Sequence, residues 1–285
     1  MNLPAQPADV REWTAAAYEV LLLTVGAYLL ARQFHRERGQ PARRIAPWNA
    51  GWLDFAAWLF LICFAISLAS QFFAPTPAPG PDQEMSDVRT LQLGCVRQVL
   101  VLLAQIGIYF LRVDVSPPPL NREPLKLPQI FAQGLQAFVT NYPIIFLTGL
   151  VWVGALQLTR QVAPEIKTPP QTAVELISHQ TDPGVLLLIT IFAVTLAPVN
   201  EELLFRAGIY RFLKGKFPTT VALAVTSVLF ALAHVNLLQF LPLAAIGWLL
   251  ARTYERSGHI GVCMVFHALF NLSNIGILLL TRGQL

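Results

Sequence analysis

Apolar runs of bilayer-crossing length recur along the whole chain. They fall near Thr14–Leu30, Trp52–Phe73, Cys95–Leu111, Ile130–Leu158, Val185–Arg211, Pro218–Leu238, Phe240–Tyr254 and Ile260–Leu280. In hydrocarbon every backbone N–H and C=O must be satisfied inside the protein, so such runs fold as helices or as a closed barrel. A helix needs about 20 apolar residues to cross and a barrel strand about 10. The expected fold is therefore an all-α polytopic membrane bundle of about eight transmembrane helices. Charged residues make up only 13% of the chain, which argues against a soluble domain. The basic residues are scattered over short loops and form no basic face, so the lipid bilayer is the expected partner and nucleic acid is not.

Loop charge gives an orientation. Arg32, Arg36, Arg38, Arg43 and Arg44 follow the first span and belong inside, whereas Asp82, Glu84 and Asp87 follow the second. Arg112, Arg122 and Lys126, then Lys214 and Lys216, then Arg252 and Arg256 repeat the pattern at each even step. The expectation is N-out and C-out in a bacterial-type inner (cell) membrane. Asp9, Arg11 and Glu12 precede the first span with no basic n-region, which reads as an uncleaved first helix. Pro75–Pro81 reads as an extended linker and Ala173–His179 as a short helix in a loop. Cys63, Cys95 and Cys263 lie in or beside apolar segments without metal-ligand spacing and read as packing residues.

One apolar run carries charges. Glu201, Glu202 and Arg206 interrupt the stretch Val185–Phe212. A charge at mid-bilayer costs about 2.5–3.5 kcal/mol even on the mildest scale, so such groups face a bundle interior and mark a working site. Glu202 and Arg206 share a helix face and can pair, while Glu201 points about 100° away and needs another partner. His35, His179 and His259 read as surface residues. His234 and His267 lie inside apolar helices, where a lone histidine is most often a hydrogen-bonded core residue. Two of them beside an unpaired carboxylate favour function. With a turn near Lys216–Pro218, Glu201 and His234 each stand about 16 residues, roughly 24 Å, along their helices and so lie level. His267 and Asn271 share a face of the last helix, with His267 shallower on a simple count.

These residues form three ordered motifs: E-E-x-x-x-R at Glu201–Arg206, F-x-x-x-H at Phe230–His234 and H-x-x-x-N at His267–Asn271. Together with Ala197-Pro198 and the Tyr254–Gly258 turn, they resemble the CAAX-processing and bacteriocin-self-immunity family of intramembrane proteases, relatives of the type II CAAX prenyl endopeptidases. The resemblance covers roughly Val185–Leu280. It divides the chain into residues 1–180, transmembrane helices of unassigned role, and 181–285, a catalytic helical core, within one membrane unit. It implies a hydrolase that cleaves a peptide bond of a membrane-associated, CAAX-like or prenylated substrate. Glu201 and His234 would activate water, His267 and Asn271 would stabilise the oxyanion, and Glu202 with Arg206 would support the site.

Two rival chemistries use the same residues. Glu201, His234 and His267 are also the ligand set of a catalytic zinc, which would make the protein a metalloprotease. No H-E-x-x-H is present, and cofactor-free glutamate catalysis is the favoured expectation. A non-catalytic scaffold for peptide immunity is the alternative from a different class. A proton-coupled transporter ranks last, because no inverted repeat or pair of broken helices is visible.

Overall fold

The computed structural model describes residues 8–37, 45–72, 94–107, 125–163, 174, 177–178 and 180–281. Eight helices cover almost all of these: α1 (Ala8–Glu37), α2 (Trp52–Phe72), α3 (Gly94–Gly107), α4 (Leu127–Val162), α5 (Pro183–Lys214), α6 (Thr219–Ala233), α7 (Phe240–Ser257) and α8 (Ile260–Leu280). No strand occurs among the described residues. Six of the helices are long and apolar enough to cross a membrane, while α3 and α6 are shorter. The protein is an integral membrane helical bundle, as its apolar runs require. Val174, Ile177 and Ser178 are helical, in line with the short loop helix expected there. Pro75–Pro81 and the loop charges Arg38, Arg43, Arg44, Asp82, Glu84, Asp87, Arg112 and Arg122 lie outside the described residues.

Helix ends follow local chemistry. Asp182 caps α5 by accepting from the N–H groups of Gly184 (2.7 Å) and Val185 (3.4 Å), with Pro183 in the first turn. At the end of α7 the chain turns through Gly258 at φ 70°, a left-handed conformation natural to glycine. His259 then caps α8, its Nδ1 accepting from the Gly261 N–H at 3.1 Å. This residue read as a surface histidine; it is half-buried and structural.

The core lies where α4 crosses α1, α7 and α8, and where α6 packs along α7. The segment before α2 is strapped to the ends of α5 and α7. Trp48 N–H donates to the Arg211 carbonyl at 2.9 Å, Arg211 Nε to the Ala46 carbonyl at 2.9 Å and Lys214 to the Ile45 carbonyl at 2.8 Å. Phe55 stacks on Phe212 with ring centres 3.8 Å apart. A Cβ on Gly208 would lie 2.2 Å from the Trp58 ring, so glycine is what lets α2 dock there.

Candidate active site

Helix α5 is not a regular helix, and its irregularities set the site. The α-helical stretch Pro183–Val194 breaks at Thr195, resumes over Leu196–Glu202 and widens to a π-helix over Leu203–Tyr210. Pro198 explains the break, because it has no N–H for the carbonyl of Val194. The wider turn falls directly after the two glutamates, as π segments often do at functional sites. One residue before Val194, the Ala193 carbonyl accepts from Asn271 Nδ2 of α8 at 2.8 Å. Asn271 therefore anchors the bend of α5.

The two glutamates diverge as their 100° offset requires. Glu202 is fully buried and its Oε1 accepts from Arg206 Nη1 at 2.8 Å and from His267 Nδ1 at 2.9 Å. Arg206, also fully buried, donates through Nη2 to the Gly247 carbonyl at 3.2 Å and lies over the Phe230 ring at 4.6 Å. Four helices thus meet at one ion pair. Removing one member of such a buried pair costs about 3–5 kcal/mol, because the other charge is left uncompensated.

Glu201 faces the histidines instead. Its Oε2 lies 3.8 Å from His234 Nε2 and 3.7 Å from His267 Nε2. The other nitrogen of each ring is committed. His234 Nδ1 lies 2.7 Å from the Phe230 carbonyl, and His267 Nδ1 meets the Glu202 carboxylate. Both partners can only accept, so both Nδ1 atoms carry hydrogen and both Nε2 atoms turn toward Glu201. Glu201 Oε2 is buried and has no hydrogen-bond partner among the described residues. His267 is nearly enclosed, whereas the Glu201 and His234 side chains keep 29% and 23% of their exposure, so the site is approached from their side.

The chain is strained beside His234. Val235 has φ 46°, an outlier for a β-branched residue and worth about 1–3 kcal/mol of strain. It ends α6 abruptly and holds the imidazole at the helix terminus. The following turn is braced by Asn236, which accepts from the Gln239 N–H at 2.9 Å, and by Trp152 of α4, which donates to the Leu237 carbonyl at 2.8 Å.

The structure brings Glu201, Glu202, Arg206, His234 and His267 together. The depth offset expected for His267 does not keep it away: its Nε2 stands 3.7 Å from Glu201 Oε2. Sequence reasoning missed the supporting groups. Asn200, next to Glu201, donates through Nδ2 to the main-chain carbonyl (3.1 Å) and to Oε1 (2.7 Å) of Gln98 on α3. Polar Gln98 in an apolar run was a readable signal; the carbonyls of Phe230, Gly247 and Ala193 had none.

The donor chemistry of Glu201, His234 and His267 suits zinc, but the positions do not. No three His, Cys, Asp or Glu side chains among the described residues are grouped as a metal site requires.

All six candidate residues fall within one segment that has known relatives. Residues 183–273 match the family model described as type II CAAX prenyl endopeptidase Rce1-like. The similarity lies in this C-terminal segment alone. The bounds agree with the three motifs, and α1 to α4 lie outside them. No curated protein and no solved structure matches the chain.

Proposed function

We propose that the protein is an intramembrane endopeptidase that hydrolyses a peptide bond of a membrane-associated substrate with Glu201 as general base. One observation carries this reading: a buried carboxylate oxygen with no hydrogen-bond partner among the described residues faces the Nε2 atoms of two histidines whose Nδ1 atoms are held from behind. A water hydrogen-bonded to Glu201 Oε2 also reaches those nitrogens, since 3.7 and 3.8 Å separations are spanned by two hydrogen bonds of about 2.8 Å. Glu201 takes the proton as the water attacks the carbonyl carbon, and returns it to the leaving amine. His234 orients the water. His267 and Asn271 serve the oxyanion: with hydrogen on both ring nitrogens, His267 keeps Nδ1–H on Glu202 and offers Nε2–H, and the Asn271 amide carries two hydrogens and can keep one on Ala193 while offering the other. Glu202 positions His267 and neutralises Arg206. We propose a metal-free reaction, a substrate of CAAX-like or prenylated type, and an N-out, C-out orientation. In favour of the last, Arg32 and Arg256 line one cavity and Lys214 pairs with Glu255 of α7, which puts these basic helix ends on one side of the bundle.

Membrane-protein termini from cells with the wild type or Glu201→Ala at equal abundance test the activity. New termini that depend on Glu201 are expected and would identify the substrate. Identical termini with a persisting immunity phenotype would favour the scaffold. Chelation of the purified protein should leave activity intact; loss with rescue by zinc alone would sink the metal-free mechanism.

A further inference from the structure

Helix α4 carries polar groups that the proposed peptidase chemistry does not use. Gln133, Gln136 and Thr140 recur at three- and four-residue steps and so share one face. In a membrane-spanning helix such a face needs a polar partner, because unsatisfied amides and hydroxyls are costly against lipid. Here the three residues line a cavity of about 300 Å³ together with Arg32 of α1 and Thr253 and Arg256 of α7. Thr140 and Thr253 are buried and form its floor, while Arg32 and Gln136 are exposed at its rim. Among the described residues no aspartate or glutamate lines it.

Its position in the bundle selects the ligand. The cavity lies at the last turns of α1 and α7 and the first turn of α8. Helix α4 has 36 residues, about 54 Å, against a hydrocarbon thickness of about 30 Å, so its first turns reach the headgroup layer. Two arginines converge there with side-chain amides and hydroxyls. That combination complements a phosphodiester anion bearing hydroxyl groups, and guanidinium groups pair well with phosphate oxygens.

We propose that this cavity binds the headgroup phosphate of an anionic lipid. Arg32 and Arg256 pair with the phosphate oxygens, while Gln133, Gln136 and the threonines meet the headgroup hydroxyls. A bound lipid would tie α1 to α7 and α8. Those helices carry Gly247, the acceptor of Arg206, and His267.

The test uses the full chain in nanodiscs of phosphatidylcholine with or without phosphatidylglycerol, read by the thermal midpoint and by lipid retained in native mass spectrometry. Phosphatidylglycerol should raise the midpoint of the wild type, and R32Q/R256Q should weaken retention by about fivefold per arginine. R32K/R256K should keep most of the effect. Arg252→Gln, at the same end but not lining the cavity, should leave it unchanged. An undiminished shift in R32Q/R256Q, or an equal loss in Arg252→Gln, would overturn the site. Inorganic phosphate added to phosphatidylcholine discs should give no shift; a shift equal to that of phosphatidylglycerol would overturn the lipid as source. If R32Q/R256Q does not fold, Gln136→Ala at the rim replaces it. Weaker retention there supports the site, and unchanged retention counts against it.

Discussion

Two clusters of charge are buried in this bundle, and they differ in what is left unpaired. At the end where α5 and α7 finish, Glu255 accepts from Tyr210 OH at 2.7 Å, from Lys214 and from the Ile45 N–H at 3.3 Å, so both oxygens are used. In the interior, Glu202 spends one oxygen on Arg206 and His267, and its other oxygen and Glu201 Oε2 have no hydrogen-bond partner among the described residues. An unsatisfied buried acceptor costs about 1–3 kcal/mol, more when charged. The first cluster is closed and holds helices together. The second keeps acceptor capacity that no described residue uses. Burial of charge is common to both; unused hydrogen-bonding capacity among the described residues is what separates them.

Paired substitutions give the sharpest break. Glu201→Gln should lower turnover by at least about 10²–10⁴-fold with little change in thermal midpoint. Glu255→Gln should do the reverse, destabilising by about 3–5 kcal/mol as Lys214 loses its counter-charge, while the surviving folded fraction keeps its turnover. Turnover and unfolding measured on both variants decide the matter. If Glu255→Gln abolished turnover in folded protein, the division between the clusters would fail.

Gly208 lies between the clusters on α5, against Trp58. Gly208→Ala should destabilise by about 1–3 kcal/mol through overpacking, visible as a lower thermal midpoint, and Trp58→Leu in the same chain should restore part of it. Independence of the two changes would mean that α2 does not dock through this contact.

Val235 sharpens the account of the interior cluster. Val235→Gly should relieve strain and stabilise by about 1 kcal/mol, yet reduce turnover because the turn beside His234 is loosened. A variant both less stable and equally active would show that the strain has no bearing on the site.

The smallest effect belongs to the basic end. Burial holds the His259 pKa below the usual 6.5, and its Nδ1 must be unprotonated to cap α8. The folded state therefore binds fewer protons than the unfolded state. The contribution is complete above about pH 6.5 and falls as pH drops through 6.5 toward the folded value. His259→Asn, which can cap without titrating, should flatten the stability profile over that range, and His259→Ala should cost about 1 kcal/mol above it. An unaltered acid slope in His259→Asn would assign the titration elsewhere.

The sequence by itself determined the fold class, because runs of apolar residues at bilayer length admit few structures, and the bundle follows. It also singled out Glu201, Glu202, Arg206, His234 and His267, because ionisable groups in hydrocarbon are expensive enough to stand out one by one. Equal spacing from the α5–α6 turn placed Glu201 and His234 level, and the two side chains do meet. What the tertiary structure decided is orientation. Glu202 binding His267 as well as Arg206, Asn271 donating to Ala193, and both Nε2 atoms facing Glu201 depend on a π-helical turn, a proline break and a left-handed glycine. Those features set side-chain direction by small backbone rotations. Their partners are main-chain carbonyls, which every residue possesses, and so the sequence gives them no distinguishing letter.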